Sequence, residues 1–560
     1  MNQVPKTQSQ AQPHAPAIRP AGRSYVSGSP VQGDPTGSFH AINPTHGQPT
    51  GIVYSAATPQ AVDRACTQAW AAFYAIQDRT AEDRALFLEA IAEQILALGD
   101  SLIETAIAET GLQPQRLIPE RERVVTSLRV LAKTVREGSW VRATLDKSDP
   151  ARKPAPRPDL RRMLRPLGPI AVFGASNFPL AYSAMGTDAA SALAAGCPVV
   201  VKGHPSHPGT GELVAQAVTT AVGVCGFHPG TYSYLQAGGV RETAIGRELV
   251  THPCIRGVGF TGSFAGGTAL ADLARTREDP IPVFAEMGSI NPVFVLPHAM
   301  DEAGKAIAEK LYNSVTSSVG QMCTKPGLIF AVRGDGYVEF EHTLIEMANK
   351  GIGHTMLSRK IQGNFAKRLS EIAAIEGVEI RGGSLQTAKL AENMPTEGPV
   401  SAVPALLKTK FETFAKHPTL RDECFGPSVI LVVCEKSSQL FEAATMIRGS
   451  LTGSIMTGPL DGALAKQLHT ALEMRVGRII YNGVPTGVEV AHSMVHGGPF
   501  PASNQPQTTA VGPMAMERWC RPVCYQNAPD PLLPIELRNA NPLGIARLVD
   551  GEWTNKPLGT

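Results

Sequence analysis

Between residues 58 and 140 the apolar positions recur with the period of a helix. Leu86, Phe87, Ile91, Ile95 and Leu96 fall on one face, and Thr80-Ala-Glu-Asp83 just before them reads as a capping box. After Arg165 the period changes. Short apolar runs at 170–173, 198–202 and 256–260 predict strands, and a helix over 188–195 is stopped by Gly196. Thr261-Gly-Ser263 opens a further helix. Strands that alternate with helices in this way predict parallel βαβ units, hence an α/β fold class with a Rossmann-type sheet. A later helix over 302–316 leads through a loop to an apolar strand at 327–332.

The remaining segments break these periods. Residues 1–35 are rich in Pro, Gln, Ser and Gly, lack an apolar signal core, and are expected to be a disordered extension. They are poor in acids, as transit peptides are, but Pro5, Pro13, Pro16 and Pro20 oppose the amphipathic helix such a peptide needs. Residues 148–158, dense in Pro, Arg and Lys, end the helical run as a connector or projecting arm. The tail 527–560 is rich in Pro and polar residues and suggests no function.

Composition narrows the function. A chain of 560 residues with 43% hydrophobic content can bury a large core in more than one domain. Its net charge of +2, with Lys and Arg scattered among Asp and Glu, predicts no nucleic-acid partner. No apolar run reaches the about 18–20 residues of a membrane span, so no membrane association is expected. The nine cysteines lack paired zinc spacing and read as reduced thiols of a cytoplasmic protein.

Three separated windows supply the parts of one reaction: Asn177 in GASNFP, Glu286 in AEMGSINP and Cys323 in GQMCTKPG. An aldehyde carbon releases hydride only after a nucleophile has made it tetrahedral, and a thiolate suits that task near neutral pH. Cys323 is the expected nucleophile. Asn177 can donate to the oxyanion, and Glu286 can activate the water that hydrolyses the resulting thioester. Taken singly, each has an ordinary alternative: a buried small thiol, a turn residue before Pro179, and a solvated carboxylate.

Two patterns mislead. Gly257-Val-Gly-Phe-Thr-Gly262 matches GxGxxG by letter, but its first two glycines lie inside an expected strand and not in the turn where a pyrophosphate would sit. His204 with His207, and His492 with His496, have metal-like spacing. The first pair sits among prolines, and the second lacks an adjacent Glu and a third ligand, so both read as loop histidines and no metal is expected.

The three reactive windows resemble those of the aldehyde dehydrogenase superfamily in order and in neighbours. The resemblance runs from about Phe39 to about Pro506. PLGPIAVFGASNFPLAYS, DAASALAAGCPVVVKGHPSHPGT and MVHGGPFPAS are most similar to α-ketoglutarate semialdehyde dehydrogenases and NADP-linked fatty aldehyde dehydrogenases. The resemblance implies an NAD(P)-binding domain over 36–150 and 168–290, a catalytic domain over 291–500, and a small β arm for oligomerisation over 151–167 and 501–526. A homodimer or homotetramer is implied as well. It also implies a turn in which Gly262, Ser263 and Gly266 open a helix toward cofactor phosphate, with Glu423 on the nicotinamide ribose and Phe425 beside the ring. Where NAD-preferring relatives carry a Glu after the Lys202 strand, this chain has Pro205. Loss of that carboxylate favours NADP over NAD, with Lys202, His204 and Ser206 as phosphate partners.

The substrate is less legible. Phe178, Tyr182 and Phe500 resemble funnel walls, and Lys325 and Arg478 are candidate anion partners. A CoA-acylating enzyme typically lacks the activating Glu. A catalytically silent protein on the same fold would leave Cys323 inert to alkylation, and a thioesterase would gain nothing from a dinucleotide site.

Overall fold

In a computed structural model that describes residues 18–383 and 397–558, the chain builds two seven-stranded sheets and a five-stranded one. The first sheet grows from a central strand, Ile170–Phe173. Val199–Lys202 and then Tyr232–Leu235 lie to one side, and Gly257–Thr261 and then Val283–Glu286 to the other, all parallel. The first three of these strands are buried at every residue, as expected for a parallel sheet covered on both faces. Helices Pro59–Ala75, Ala81–Ala97, Thr187–Ala195 and Pro208–Val224 supply much of the cover. The expected capping box is present: Thr80 Oγ1 accepts from Asp83 N, and Asp83 Oδ2 accepts from Thr80 N, both at 3.0 Å. Gly196, at φ +92°, ends helix Thr187–Ala195.

Because the chain order reverses beside Ile170–Phe173, a crevice opens at the carboxyl ends of that strand and of Gly257–Thr261. Such switch points are where open α/β sheets take ligands. Gly257 and Gly259 do lie inside the strand. A Cβ at Gly259 would come within 2.8 Å of Asp188 Oδ2 and 2.9 Å of the Trp519 ring, so its smallness serves packing.

The second sheet begins at Pro292–Val295, which lies between Leu328–Val332 and Ser450–Met456. Ser428–Cys434 and Ala405–Lys410 extend it in parallel on one side and Val476–Tyr481 on the other, while Val378–Gly383 is an antiparallel edge. The helix expected from residue 302 starts earlier, at Pro297–Thr316. Its first turn is set off by a kink at Ala303, φ −143°, which breaks the apolar period there.

Two expectations are corrected. Residues 1–17 lie outside the described residues, but the rest of the supposed disordered extension is ordered. Ser24–Val26 and Ser29–Val31 add two antiparallel strands to the first sheet, with Tyr25 opposite Tyr234. The cause is a buried carboxylate distant in sequence: Glu212 accepts from Ala21 N and Gly22 N at 2.9 Å and from Arg23 N at 3.2 Å. The tail does not stand apart either. Arg547–Val549 pairs in parallel with Thr144–Asp146, and Glu552–Thr554 follows antiparallel. They complete a sheet with Leu160–Pro166 and Cys520–Gln526, two strands from the expected arm segments. Pro513–Trp519, assigned to the arm by sequence, is instead buried against the first domain, with Arg518 on Asp188 and Trp519 Nε1 on Ser191.

Replacing Glu212 by Ala strips three backbone donors of their acceptor at a buried site, at a cost of about 1–3 kcal/mol. A lower thermal midpoint, with earlier proteolytic release of the first 31 residues, is the expected outcome; an unchanged midpoint and cleavage pattern would refute this anchoring.

Candidate active site

Cys323, Glu286 and Asn177 come from three elements and line one cavity of about 210 Å³, together with Thr261, Gly262, Ser263, Glu423 and Phe425. Asn177 follows the central strand at the switch point. Its Nδ2 donates to Gln321 O at 3.0 Å, which fixes the amide and leaves its second proton free. Glu286 ends the strand Val283–Glu286 and is almost fully buried. Met287 N donates to Ala502 O at 2.8 Å, which ties this strand end to the returning segment 494–503.

Cys323 sits in the loop before Leu328–Val332, and Asn291 holds that loop. Asn291 Nδ2 donates to Cys323 O at 2.8 Å and Lys325 O at 3.0 Å, while its Oδ1 accepts from Ser289 Oγ at 2.7 Å and Thr452 Oγ1 at 3.0 Å. Its φ of +49° is one that Asn tolerates better than most residues. Ahead of the loop, Ser318, Val319 and Gly320 all have positive φ. A Cβ at Gly320 would meet Gly426 O at 2.2 Å, so glycine lets the Cys323 loop touch the Glu423 loop.

One residue of the site was misread from sequence. His496, taken for a loop histidine, is buried with Nε2 at 3.7 Å from Cys323 Sγ and 3.1 Å from Glu286 Oε1. Its partner is therefore not His492, which lines a different cavity. Spacing along the chain could not reveal this, because the two contacts bridge 173 and 210 residues. The donor atoms of Glu286, Cys323 and His496 lie within 4.8 Å of one another, close enough to share a metal ion. An ion held there would occupy the nucleophile itself.

Burial, reinforced by the Glu286 carboxylate, holds the Cys323 pKa well above the usual thiol value. The resting group is a thiol, and His496 Nε2 is the neighbouring nitrogen that can take its proton.

The comparisons with known proteins agree with this geometry. The aldehyde dehydrogenase family model matches residues 31–519. The chain belongs to the aldehyde dehydrogenase family. It is 44% identical to α-ketoglutaric semialdehyde dehydrogenase 2 of Azospirillum brasilense over 95% of this chain and 99% of that one. The α-ketoglutaric semialdehyde dehydrogenase of Acinetobacter baylyi is 40% identical over the same shares. Among solved structures, apo betaine aldehyde dehydrogenase of Staphylococcus aureus superposes with a TM-score of 0.75 at 19% identity, over 92% of this chain and 97% of that one.

Aldehyde dehydrogenases use a nicotinamide dinucleotide, and the turn that opens a helix at the crevice is one an anionic cofactor can meet. Ser263 Oγ accepts from Gly266 N at 3.2 Å as the cap of helix Phe264–Arg275, whose first N–H groups open toward the cavity rim. A Cβ at Gly262 or Gly266 would collide with the Phe260 ring, at 2.6 and 2.9 Å. Gly288 leaves room for Glu423, whose Oε2 would lie 2.5 Å from a Cβ there. Lys202, His204 and Ser206 are not in the lining of this cavity. Lys202 is nearly buried, with Nζ 3.6 Å from Glu242. His204 Nδ1 accepts from Ser206 N at 3.1 Å, and burial beside His207 and Lys202 keeps its ring neutral.

One proposed substrate contact falls away. Lys325 Nζ is buried and donates to Cys424 O at 3.0 Å and Ser428 O at 2.8 Å, which makes it a brace for the Glu423 loop. Phe500 is 56% exposed and packs on Phe264, 5.6 Å away. Phe178 and Tyr182 are buried beside each other at 5.2 Å.

Burial raises the Glu423 pKa to about 7, with Lys325 opposing. The carboxylate, the form able to accept hydrogen bonds from hydroxyl groups, therefore fills as pH rises through 7. Dinucleotide affinity of the free enzyme is expected to improve between pH 6 and 8, and Glu423→Gln to flatten the profile. Titration calorimetry checks both, and an equal slope in the two proteins would remove Glu423 from ribose binding.

Proposed function

We propose that this enzyme oxidises α-ketoglutarate semialdehyde to α-ketoglutarate, with NADP preferred and NAD accepted. The observation that carries the chemistry is the contact of His496 Nε2 with both Cys323 Sγ and the Glu286 carboxylate. The near full-length identity to two semialdehyde dehydrogenases supports the substrate.

His496 takes the thiol proton, and Glu286 stabilises the imidazolium so formed. Sγ attacks the aldehyde carbon, and the oxyanion accepts a hydrogen bond from the free Asn177 Nδ2 proton, worth about 3–4 kcal/mol by analogy with other oxyanion holes. A bound nicotinamide dinucleotide supplies the acceptor for the hydride that this carbon releases. The carbon remains on Sγ as a thioester. Glu286 then takes a proton from water, the resulting hydroxide adds to the thioester carbonyl, and the C–S bond breaks to release the acid and regenerate the thiolate. A buried carboxylate beside the nucleophile favours water over CoA as the acyl acceptor.

NADP preference rests on Pro205, which leaves the ribose position without a carboxylate, and on Lys202 at the strand end. Glu242 pairs with Lys202 but is half-exposed, so a phosphate can replace it. We infer a homodimer or homotetramer. The strand Cys520–Gln526 ends its sheet with a free edge seven residues long, which suits pairing with another copy. Among the described residues no helix is long and apolar enough to cross a membrane.

The deciding experiment compares kcat/KM for α-ketoglutarate semialdehyde and a medium-chain aldehyde with NADP. A preference of a hundredfold or more for the semialdehyde is expected, and Cys323→Ala should abolish both activities; the opposite preference would make this a fatty aldehyde oxidase. For the cofactor, Lys202→Ala is expected to weaken NADP by about 10–100-fold, the value of one charged contact, and NAD far less. Equal losses measured by fluorescence titration would remove the phosphate role.

A further inference from the structure

Three groups that the reaction uses in turn also form a compact donor set. His496 Nε2 lies 3.7 Å from Cys323 Sγ and 3.1 Å from Glu286 Oε1, and it is 3.1 Å from Oε2 as well. Oε2 is buried and accepts no hydrogen bond. Sulfur, nitrogen and a carboxylate oxygen all fall within 4.8 Å of one another, and among the described residues no other set of three such donors is gathered in this way.

Each donor is held from a different direction. Asn291 fixes the Cys323 backbone, Met287 N ties the end of the Glu286 strand to Ala502 O, and His496 N donates to Thr509 Oγ1 at 3.0 Å while its carbonyl accepts from Ala510 N at 2.7 Å. Glu286 and His496 are 5% and 2% exposed, whereas Cys323 is half-buried and lines the cavity, so the set is rigid and open on the sulfur side. When Nε2 accepts from the thiol it carries no proton of its own, and it then faces the carboxylate at hydrogen-bond distance with no hydrogen between them. That contact is repulsive alone, and a cation between the two relieves it.

We propose that Cys323, Glu286 and His496 form an inhibitory site for a zinc ion. A tetrahedral ion with Zn–S about 2.3 Å and Zn–N or Zn–O about 2.0 Å sets sulfur and nitrogen about 3.5 Å apart and nitrogen and oxygen about 3.3 Å apart, close to the separations here. The thiol gives its proton to solvent as the S–Zn bond forms, His496 binds through Nε2 and Glu286 through a carboxylate oxygen, and no electron is transferred. Thiolate and carboxylate together cancel the +2 charge. The fourth position opens to the cavity and takes water. Thiolate and imidazole select zinc over magnesium, which prefers oxygen ligands throughout. One reversible event thus occupies the nucleophile, the base that activates it and the acceptor for the hydrolytic water. Its effect on turnover rests on the roles proposed above for these residues; its affinity for metal does not, and neither depends on the aldehyde.

The test titrates the purified full-length enzyme with Zn²⁺ and, separately, with Co²⁺. Zn²⁺ in small excess over enzyme is expected to lower turnover at least tenfold and a chelator to restore it, while Mg²⁺ does neither. Co²⁺ is expected to give thiolate-to-metal charge transfer in the near ultraviolet and the visible bands of a tetrahedral site. His496→Asn and Glu286→Gln are read by metal binding alone, and each is expected to weaken it by more than the about 10–100-fold that loss of an outer partner costs. Dinucleotide binding and the thermal midpoint report that they fold. Cys524→Ser, which removes the exposed thiol, is expected to keep wild-type activity and inhibition. Metal affinity unchanged in His496→Asn and Glu286→Gln would reduce the event to a thiol adduct and overturn the site, as would absence of inhibition in the wild type or its loss in Cys524→Ser. Appreciable turnover of Cys323→Ala without metal would overturn the nucleophile assignment instead, and the Co²⁺ spectrum would still decide the metal site.

Discussion

Asn291 stands where the chain passes from one seven-stranded sheet to the other, and its single amide joins four groups. It holds the backbone of the Cys323 loop at two carbonyls and receives hydroxyls from Ser289 and from Thr452 on the neighbouring strand. Ser289 Oγ in turn accepts from Leu451 N at 2.9 Å, and Gly327 N donates to Ile290 O at 2.7 Å. Asn291, Ser289 and Thr452 are all buried, so each lost partner costs about 1–3 kcal/mol and a misplaced nucleophile. The left-handed run Ser318 to Gly320 is sustained by this frame: β-branched Val319 at φ +56° would relax if the loop were free. Strain and anchor together set Sγ at its distance from His496.

The cavity so formed is rich in acid for its size. Glu286 is buried in its wall and Glu423 half-buried there, and both add to burial in raising the Cys323 pKa. Such a site resists spontaneous ionisation of the thiol. It also makes activation depend on a proton acceptor held at fixed distance.

Sequence order carried much of this. Helix and strand periods placed Ile170–Phe173, Val199–Lys202 and Gly257–Thr261 of the first sheet to within a residue, because a parallel strand buried on both faces and a helix capped at Thr80 are local signals. Cys323, Glu286 and Asn177 were legible from the reaction each residue type can serve, aided by their neighbours, and they meet in one cavity. What failed was set by partners far along the chain. The strand Ser24–Val26 looks like a polar, Gly-rich linker and is fixed by Glu212; the tail strands look featureless and are fixed by Thr144–Asp146. His496 failed for a related reason: a lone histidine in a Gly-Gly-Pro loop has no local signature, and its meaning lies in carboxylate and thiol groups supplied by other segments. Lys325 erred the opposite way. Its proximity to the nucleophile suggested an anion partner, yet burial forced its ammonium onto backbone carbonyls.

The placement of one nitrogen between sulfur and carboxylate constrains the order of events. Nε2 cannot accept from the thiol and donate to Glu286 at once, so the neutral resting site and the reactive ion pair are two positions of one proton. In the resting form S–H points to Nε2; in the reactive form Nε2–H points to Glu286 and the sulfur is free to attack. Once Sγ is acylated it no longer carries a proton to give. After the imidazolium has passed its proton to solvent water, the same carboxylate no longer pairs with a cation and is available to accept from the hydrolytic water. A single buried carboxylate can therefore serve attack and hydrolysis in sequence: it accepts a hydrogen bond from the imidazolium in the first and a proton from water in the second.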